Sequence, residues 1–441
     1  MAVTLLSKVG YSVTIAAAVV FSSIAPAATL GLPDTPLFLA GGAQPNLIMA
    51  IDDSGSMDFE VLFPTNDGAA WWRLQQWGSC PDSTANSFVG CRNNADGTSD
   101  VPAPGQLNFN NSGENSFNIP RDDNNNNDVQ VWRKFVYLFP NGYPDPDDDQ
   151  FLFVTARRRV NDGSGHYAIP PIPAYAWARS PDHNAAYFNP SVNYTPWVST
   201  ADYTFGNSPA SAARFDPVFE TDRTMNLTRD RTGNVSVDPN TACGSLTSSA
   251  SDNHYFKVYR GMTLPSQTCL RRSDNTNWET IGTNGCQVGV NGQCDTSLRV
   301  SGNRVTSLDS GALVAIRYFP ATFYLAAGTA LPTGYGYTAA ATTTGRAPNG
   351  TTALNGYQIK RTNFGSDAAY NTAIQNFANW FTYYRKRHQA LRAGLGEAFS
   401  DITGIRVDGF TINNRQDVTM GTVDDTRRAL YQKFYTQFVR A

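Results

Sequence analysis

Two stretches of regular hydrophobic patterning bracket a long irregular middle. The first is Asn46–Ile51, an apolar run with no polar alternation that ends abruptly at Asp52. Such a run predicts a strand buried on both faces of a parallel sheet. From residue 58 to residue 365 the pattern breaks into short aromatic runs, at 129–139, 151–160, 255–259 and 313–325. Asn, Gly, Pro, Ser and Thr separate them, which predicts short strands joined by turns. Periodicity then returns. Ile374, Phe377, Phe381, Tyr384, His388, Leu391, Leu395 and Phe399 fall at steps of three and four, one stripe of a long amphipathic helix. Ser366 is placed to cap its start and Gly404 to end it. Residues 405–412 predict a strand and residues 426–439 a second helix. The order strand, detour, helix, strand, helix predicts an α/β fold whose first crossover carries a large insertion.

The N-terminus adds a targeting segment. Lys8 supplies a positive start, residues 13–21 an apolar stretch, and Ala25-Pro26-Ala27 a small-residue cleavage site. The apolar stretch falls short of the ~20 residues that span a bilayer. The expected organisation is a signal peptide over 1–27 and a linker over 28–45. A first domain is formed by 46–57 with 366–441, and 58–365 is inserted into it. The signal predicts export, through the periplasm to the outer surface, and no later segment reads as a membrane span. The six cysteines, Cys80, Cys91, Cys243, Cys269, Cys286 and Cys294, fit export. None has the C-x-x-C spacing of a zinc site, and an even number in an exported chain favours disulfides. Cys80 is expected to pair with Cys91, and the other four leave three pairings open. The net charge is −3 with no basic block, which argues against a nucleic-acid partner.

Asp52-x-Ser54-x-Ser56 is the main candidate for chemistry. Alternate residues of an extended turn can point the same way, bringing a carboxylate and two hydroxyls onto one cation. Gly55 relaxes the backbone between them. Hard oxygen ligands suit Mg²⁺ or Ca²⁺, with Mn²⁺ also admissible, rather than zinc. The loop follows a strand, at the carboxyl end where open α/β sheets bind ligands. The acidic stretches 122–128 and 145–149 lack the glycine and terminal glutamate of a calcium loop and read as solvated turns.

Other conspicuous residues read as structural. Trp71 and Trp72 are expected to pack within the insertion. Trp380, Phe381, Tyr383 and Tyr384 are expected at the helix core and boundary, and Arg385-Lys386-Arg387 on a solvated helix face. His166, His183, His254 and His388 are scattered, and His388 in the apolar stripe reads as a satisfied core residue. There is no G-x-S-x-G elbow, phosphate-binding glycine loop or H-E-x-x-H pair, so an enzyme is not expected.

D-x-S-x-S after a strand resembles the start of the metal-ion-dependent adhesion site of the von Willebrand factor A fold, a Rossmann-like parallel sheet. Two longer motifs sharpen this: residues 188–197, FNPSVNYTPW, and residues 376–385, NFANWFTYYR. With residues 46–57 they resemble the N-terminal part of PilY1-type type IV pilus tip proteins, over nearly the whole mature chain. The resemblance implies an exported protein at the pilus tip that supports pilus assembly and metal-dependent adhesion. Its implied partners are tip minor pilins and a host or abiotic surface ligand. It also implies that Ser54 and Ser56 ligate the cation directly, and Asp52 directly or through water. The family draws a Thr and a second Asp from later loops and continues into a β-propeller. Thr419, Thr422 and Thr426 come too early to replace them, so the A-like sheet is expected to be incomplete at its C-terminal side.

Overall fold

The computed structural model describes residues 44–64, 68–73, 132–139, 166–218, 224–232, 256–258, 263–266, 268–271, 278–281, 285–288, 294–295, 312–348, 352–412 and 418–437. Outside the described residues lie the signal and linker up to residue 43, Cys80, Cys91, Cys243, the acidic stretches 122–128 and 145–149, the run 151–160, His254, and the side chains of Trp71 and Trp72. Among the described residues no helix is long and apolar enough to cross a membrane.

The strand β1 spans Asn46–Ile51. In the middle of the chain, β2 (Ala70–Arg73) pairs antiparallel with β3 (Trp132–Tyr137), which pairs in parallel with β4 (His166–Ala168). A second small sheet joins β5 (Thr322–Ala326), β6 (Thr343–Arg346) and β7 (Ala353–Gln358), with β7 in the centre and both pairings antiparallel. Shorter antiparallel pairings fill the region between, including Arg231–Thr232 with Arg317–Tyr318. Cys269 is disulfide-bonded, and no described cysteine is free. Then follow α1 (Asp367–Tyr383), α2 (Arg387–Ala398), β8 (Arg406–Thr411), β9 (Gly421–Thr422) and α3 (Val423–Gln432).

β1 pairs with β8 in parallel, from Asn46↔Arg406 to Ile51↔Thr411, and β8 pairs with β9 antiparallel. Among the described residues β1 is therefore an edge strand. The expectation that both its faces are buried is corrected. Ile51 is buried, but Leu47 is 40% exposed and Ile48 57%. The unalternating run does form a strand, but among the described residues the helices pack against the side that carries Ile51 and Val407. Met49, Ile51 and Val407 meet α2, α3 and the turn after α3, in a core with Trp197, Phe399, Tyr431 and Tyr435. Ile48 and Ile412 face the other way, and Ile412 is 54% exposed.

The larger core lies in the middle region and includes α1. Phe188 packs on Phe323, Phe377 and Trp380, and Phe139 packs edge-on against Phe381. Side chains also strap this region together. Within α1, Asn376 accepts from the Tyr194 backbone at 2.7 Å and donates to the Val192 carbonyl at 2.7 Å. Asn379 donates to the Tyr194 carbonyl and accepts from the Ser208 backbone at 2.9 Å. The indole of Trp197 donates to the Tyr383 carbonyl at 2.8 Å. The two long motifs thus dock on each other, and the asparagines satisfy an irregular chain that forms no ladder of its own.

The single long helix expected over 366–404 is two helices. Ser366 caps α1, its hydroxyl accepting from the Ala369 backbone, but the chain leaves the helix at Tyr384 and restarts with Lys386 as the cap of α2. The stripe also turns. Leu391 and Leu395 are half-buried, whereas His388, Gln389, Arg392, Ala393 and Gly396 form the buried face of α2. The break and the turn share a cause, which lies beside the Asp52 loop.

Candidate metal loop

Leaving β1, the chain passes Asp52 and enters a 3-10 turn at Gly55–Asp58. Asp52 is exposed, and its Oδ1 accepts from the Ser54 backbone at 2.8 Å, which folds the loop back on itself. The neighbouring Asp53 turns inward and is 1% exposed. The Ser54 and Ser56 hydroxyls lie 3.1 Å apart. Two adjacent oxygens on an octahedral Mg²⁺ with bonds of 2.0–2.1 Å stand about 3 Å apart. The hydroxyl pair is thus spaced as neighbouring ligands of a small hard cation, and the exposed Asp52 carboxylate brings the negative charge such an ion needs. The donor chemistry of the three residues, and the spacing of the two hydroxyls, fit a divalent cation.

The rest of a coordination shell is not gathered here. Among the described residues no three His, Cys, Asp or Glu side chains converge on one point. Of the three threonines considered above, Thr422 and Thr426 have their hydroxyls engaged locally, and Thr419 is tied through its backbone. The Thr419 backbone donates to Asp408 at 2.7 Å, the Thr422 hydroxyl caps α3, and the Thr426 hydroxyl donates to the Thr422 carbonyl.

Immediately after the loop, buried charge fixes the chain. Asp58 is 2% exposed and accepts from Lys386 Nζ at 2.7 Å, from the Tyr137 hydroxyl at 3.1 Å, and faces His388 Nε2 at 3.3 Å. Two residues on, Glu60 accepts from Arg385 Nε at 2.7 Å and from the backbones of Leu138 and Phe139. The Arg387 backbone donates to the Phe59 carbonyl, and its side chain to the Val61 carbonyl at 2.8 Å. Arg392 approaches Asp216 at 3.5 Å.

Arg385-Lys386-Arg387 is therefore no solvated face, and that expectation is corrected: Arg385 is 0% exposed and Lys386 4%. The helix breaks at these residues because their backbone and side chains serve the segment 58–61. Burial pushes the Asp58 carboxyl up, but Lys386 and His388 outweigh it and hold it below its ordinary value. Burial drives His388 down to about 4 against its hydrogen bond to Asp58, with the charge of Arg392 adding to the fall. A neutral His388 donating through Nε2 has its Nδ1 as acceptor, and that buried atom finds no partner. His388 is in the core as expected, but it is not fully satisfied there.

The structure brings Asp52, Ser54 and Ser56 together on one loop and sets Cys269, Cys286 and Cys294 in short strands of the middle region. The Asp58–Lys386–His388 and Glu60–Arg385 groups were missed from sequence. Their one local signal is a pair of acids spaced i, i+2 just after an apolar strand, because their partners lie more than three hundred residues away. No protein-family model matches this chain, and neither a curated protein nor a solved structure shows significant similarity to it.

Proposed function

We propose that the chain is an exported, non-enzymatic adhesion and assembly module of the type IV pilus tip, with a von Willebrand factor A-like sheet whose Asp52 loop makes a cation-dependent contact. The observation that carries the cation is the Ser54–Ser56 hydroxyl pair, 3.1 Å apart beside the exposed Asp52 carboxylate at the end of β1. The pilus placement rests on the motifs at 46–57, 188–197 and 376–385. When bound, Mg²⁺, Ca²⁺ or Mn²⁺ would supply an open coordination position for an acidic or carbonyl oxygen of the surface ligand. Ser54 and Ser56 would hold it, and Asp52 would balance its charge.

A second reading has its own support. The segment that follows the loop is pinned by buried ion pairs at Asp58 and Glu60. On that reading the chain is a structural pilus-priming factor and the loop only stabilises the fold.

Asp52→Ala separates the two. The metal-contact reading expects loss of cation-dependent adhesion with piliation intact. The structural reading expects piliation and adhesion to fall together. Adhesion indifferent both to Asp52→Ala and to EDTA would remove the metal from either account.

A further inference from the structure

The two hydroxyls of the Asp52 loop are held from different parts of the fold. Ser54 belongs to the strand end. Its backbone donates to Asp52 Oδ1 at 2.8 Å, and the carbonyl of Ile51 accepts from the Ile412 backbone of β8's far end at 2.9 Å. Ser56 belongs to the 3-10 turn Gly55–Asp58, and its carbonyl accepts from the Phe59 backbone at 3.3 Å.

The far end of that turn is gripped by the start of α2. Lys386 Nζ donates to Asp58 Oδ1 at 2.7 Å, and the Arg387 backbone donates to the Phe59 carbonyl at 3.1 Å. The Arg387 guanidinium also lies over the Phe59 ring, 5.1 Å from its centre. Asp58, Phe59 and Lys386 are all buried, so this grip is shielded from water.

The 3.1 Å Ser54–Ser56 pair therefore straddles two anchors, one on the sheet and one on α2. One turn bond, from the Met57 backbone to the Ser54 carbonyl at 2.9 Å, crosses between them. An octahedral cation tolerates little change in the spacing of its oxygen ligands. Groups that orient such ligands commonly set metal affinity by ~10–100-fold. The α2 anchor also lies where the fold changes core, since α1 packs in the larger core and α2 against the smaller. A displacement of the first turn of α2 is passed to Ser56 through Asp58 and Phe59.

We propose that Lys386 is a positioning residue for the cation loop, acting through Asp58, so that cation occupancy and the α1–α2 junction are coupled. The coupling is reciprocal: what moves the junction changes cation affinity, and a bound cation steadies the junction. This rests on the cation reading above and adds to it a route by which the helices regulate the loop.

Mn²⁺ binding to the full chain, counted by loss of the free-ion EPR signal, tests this. Asp58→Asn together with Lys386→Met removes both ends of the link and equal and opposite charges. The double variant should bind Mn²⁺ about tenfold more weakly than wild type, even where its urea stability matches. A purely structural role would let affinity recover with stability. Hydrogen exchange of the wild type needs no variant, and decides alone should the double variant not fold. Saturating Mn²⁺ should slow the Arg387 amide several-fold more than the amides of β7. Equal Mn²⁺ affinity in wild type and double variant, or slowing confined to residues 52–59, would overturn the coupling and leave the cation loop standing. No Mn²⁺ binding by wild type, or binding that Asp52→Ala does not weaken, would remove the cation reading and the coupling with it.

Discussion

At the scale of single residues, His388 carries the clearest consequence for solution behaviour. It is buried among Asp58, Lys386, Arg392 and Asp216, and its folded value is about 4 against an ordinary 6.5. The unfolded chain therefore takes up a proton near pH 6.5, while the folded chain resists until near pH 4. The unfolded state binds more protons in that window, so stability falls as pH falls through it, by on the order of 3 kcal/mol. Asp58 works in the same direction further down. Its folded value lies below 3.8, so its contribution is present above that value and is lost as pH falls through the folded one. Urea midpoints measured across the window should drop towards acid, and His388→Gln should flatten the fall between 6.5 and 4. An unflattened fall in the variant would assign the limb to another group. Nothing in the sequence around His388 discloses this, because its environment is made by residues from elsewhere in the chain.

At the scale of elements, the junction between α1 and α2 is the anchor of the Asp52 loop. An uninterrupted helix over 366–404 would keep Arg385 and Lys386 on its surface. Breaking it forgoes a few backbone hydrogen bonds and lets both side chains reach acids that would otherwise be buried alone. Removing one partner of such a pair is costly because the other charge stays behind. Lys386→Met should therefore destabilise the protein by about 3–5 kcal/mol in urea unfolding. Asp58→Asn together with Lys386→Met should recover much of the loss. A cost of only about 1 kcal/mol for the single variant, the size expected of an exposed pair, would mean that Asp58 is held by Tyr137 and His388 without lysine. A second close approach acts at the same scale. Gly345 of β6 lies against the 3-10 segment 173–179, where an added Cβ would come within 2.0 Å of the Ala176 side chain. That contact seats the segment ending in Arg179 against the small sheet.

At the scale of the whole molecule, the described residues have two hydrophobic cores, with α1 in the larger and β1, β8, α2 and α3 around the smaller. One side of the smaller sheet is exposed at Ile48 and Ile412, whereas Asp408, on the same side by register, is buried and accepts from Lys433 and from the Thr419 backbone. The register places Ile48, Ala50, Phe410 and Ile412 on that side, and the Arg406→Pro45 and Ile412→Ile51 bonds direct the odd-numbered carbonyls of β1 towards β8. The backbone groups of Asn46, Ile48 and Ala50 consequently point away from β8, to an edge on which no described strand pairs. An exposed, apolar edge strand is a template for pairing with another chain. Ile48→Lys should lower self-association in sedimentation velocity while leaving the unfolding free energy in urea within about 0.5 kcal/mol of wild type, as for a surface substitution. A large loss of stability instead would show that this face is covered in solution.

The sequence by itself determined the elements that depend on near neighbours. The run Asn46–Ile51 makes a strand because consecutive apolar residues favour it, and Ser366 starts a helix because its hydroxyl meets a backbone donor three residues on. The carboxylate and hydroxyls of the Asp52 loop share one turn because their spacing is local. Only the tertiary structure decided which face of α2 is buried, why the helix breaks at Arg385, and which side of β1 is left open. Local patterning ranks residues by polarity and so places Lys, Arg and His at the surface. Burial of those charges is set by acids more than three hundred residues away, and a pairing at that distance leaves no periodic trace along the chain.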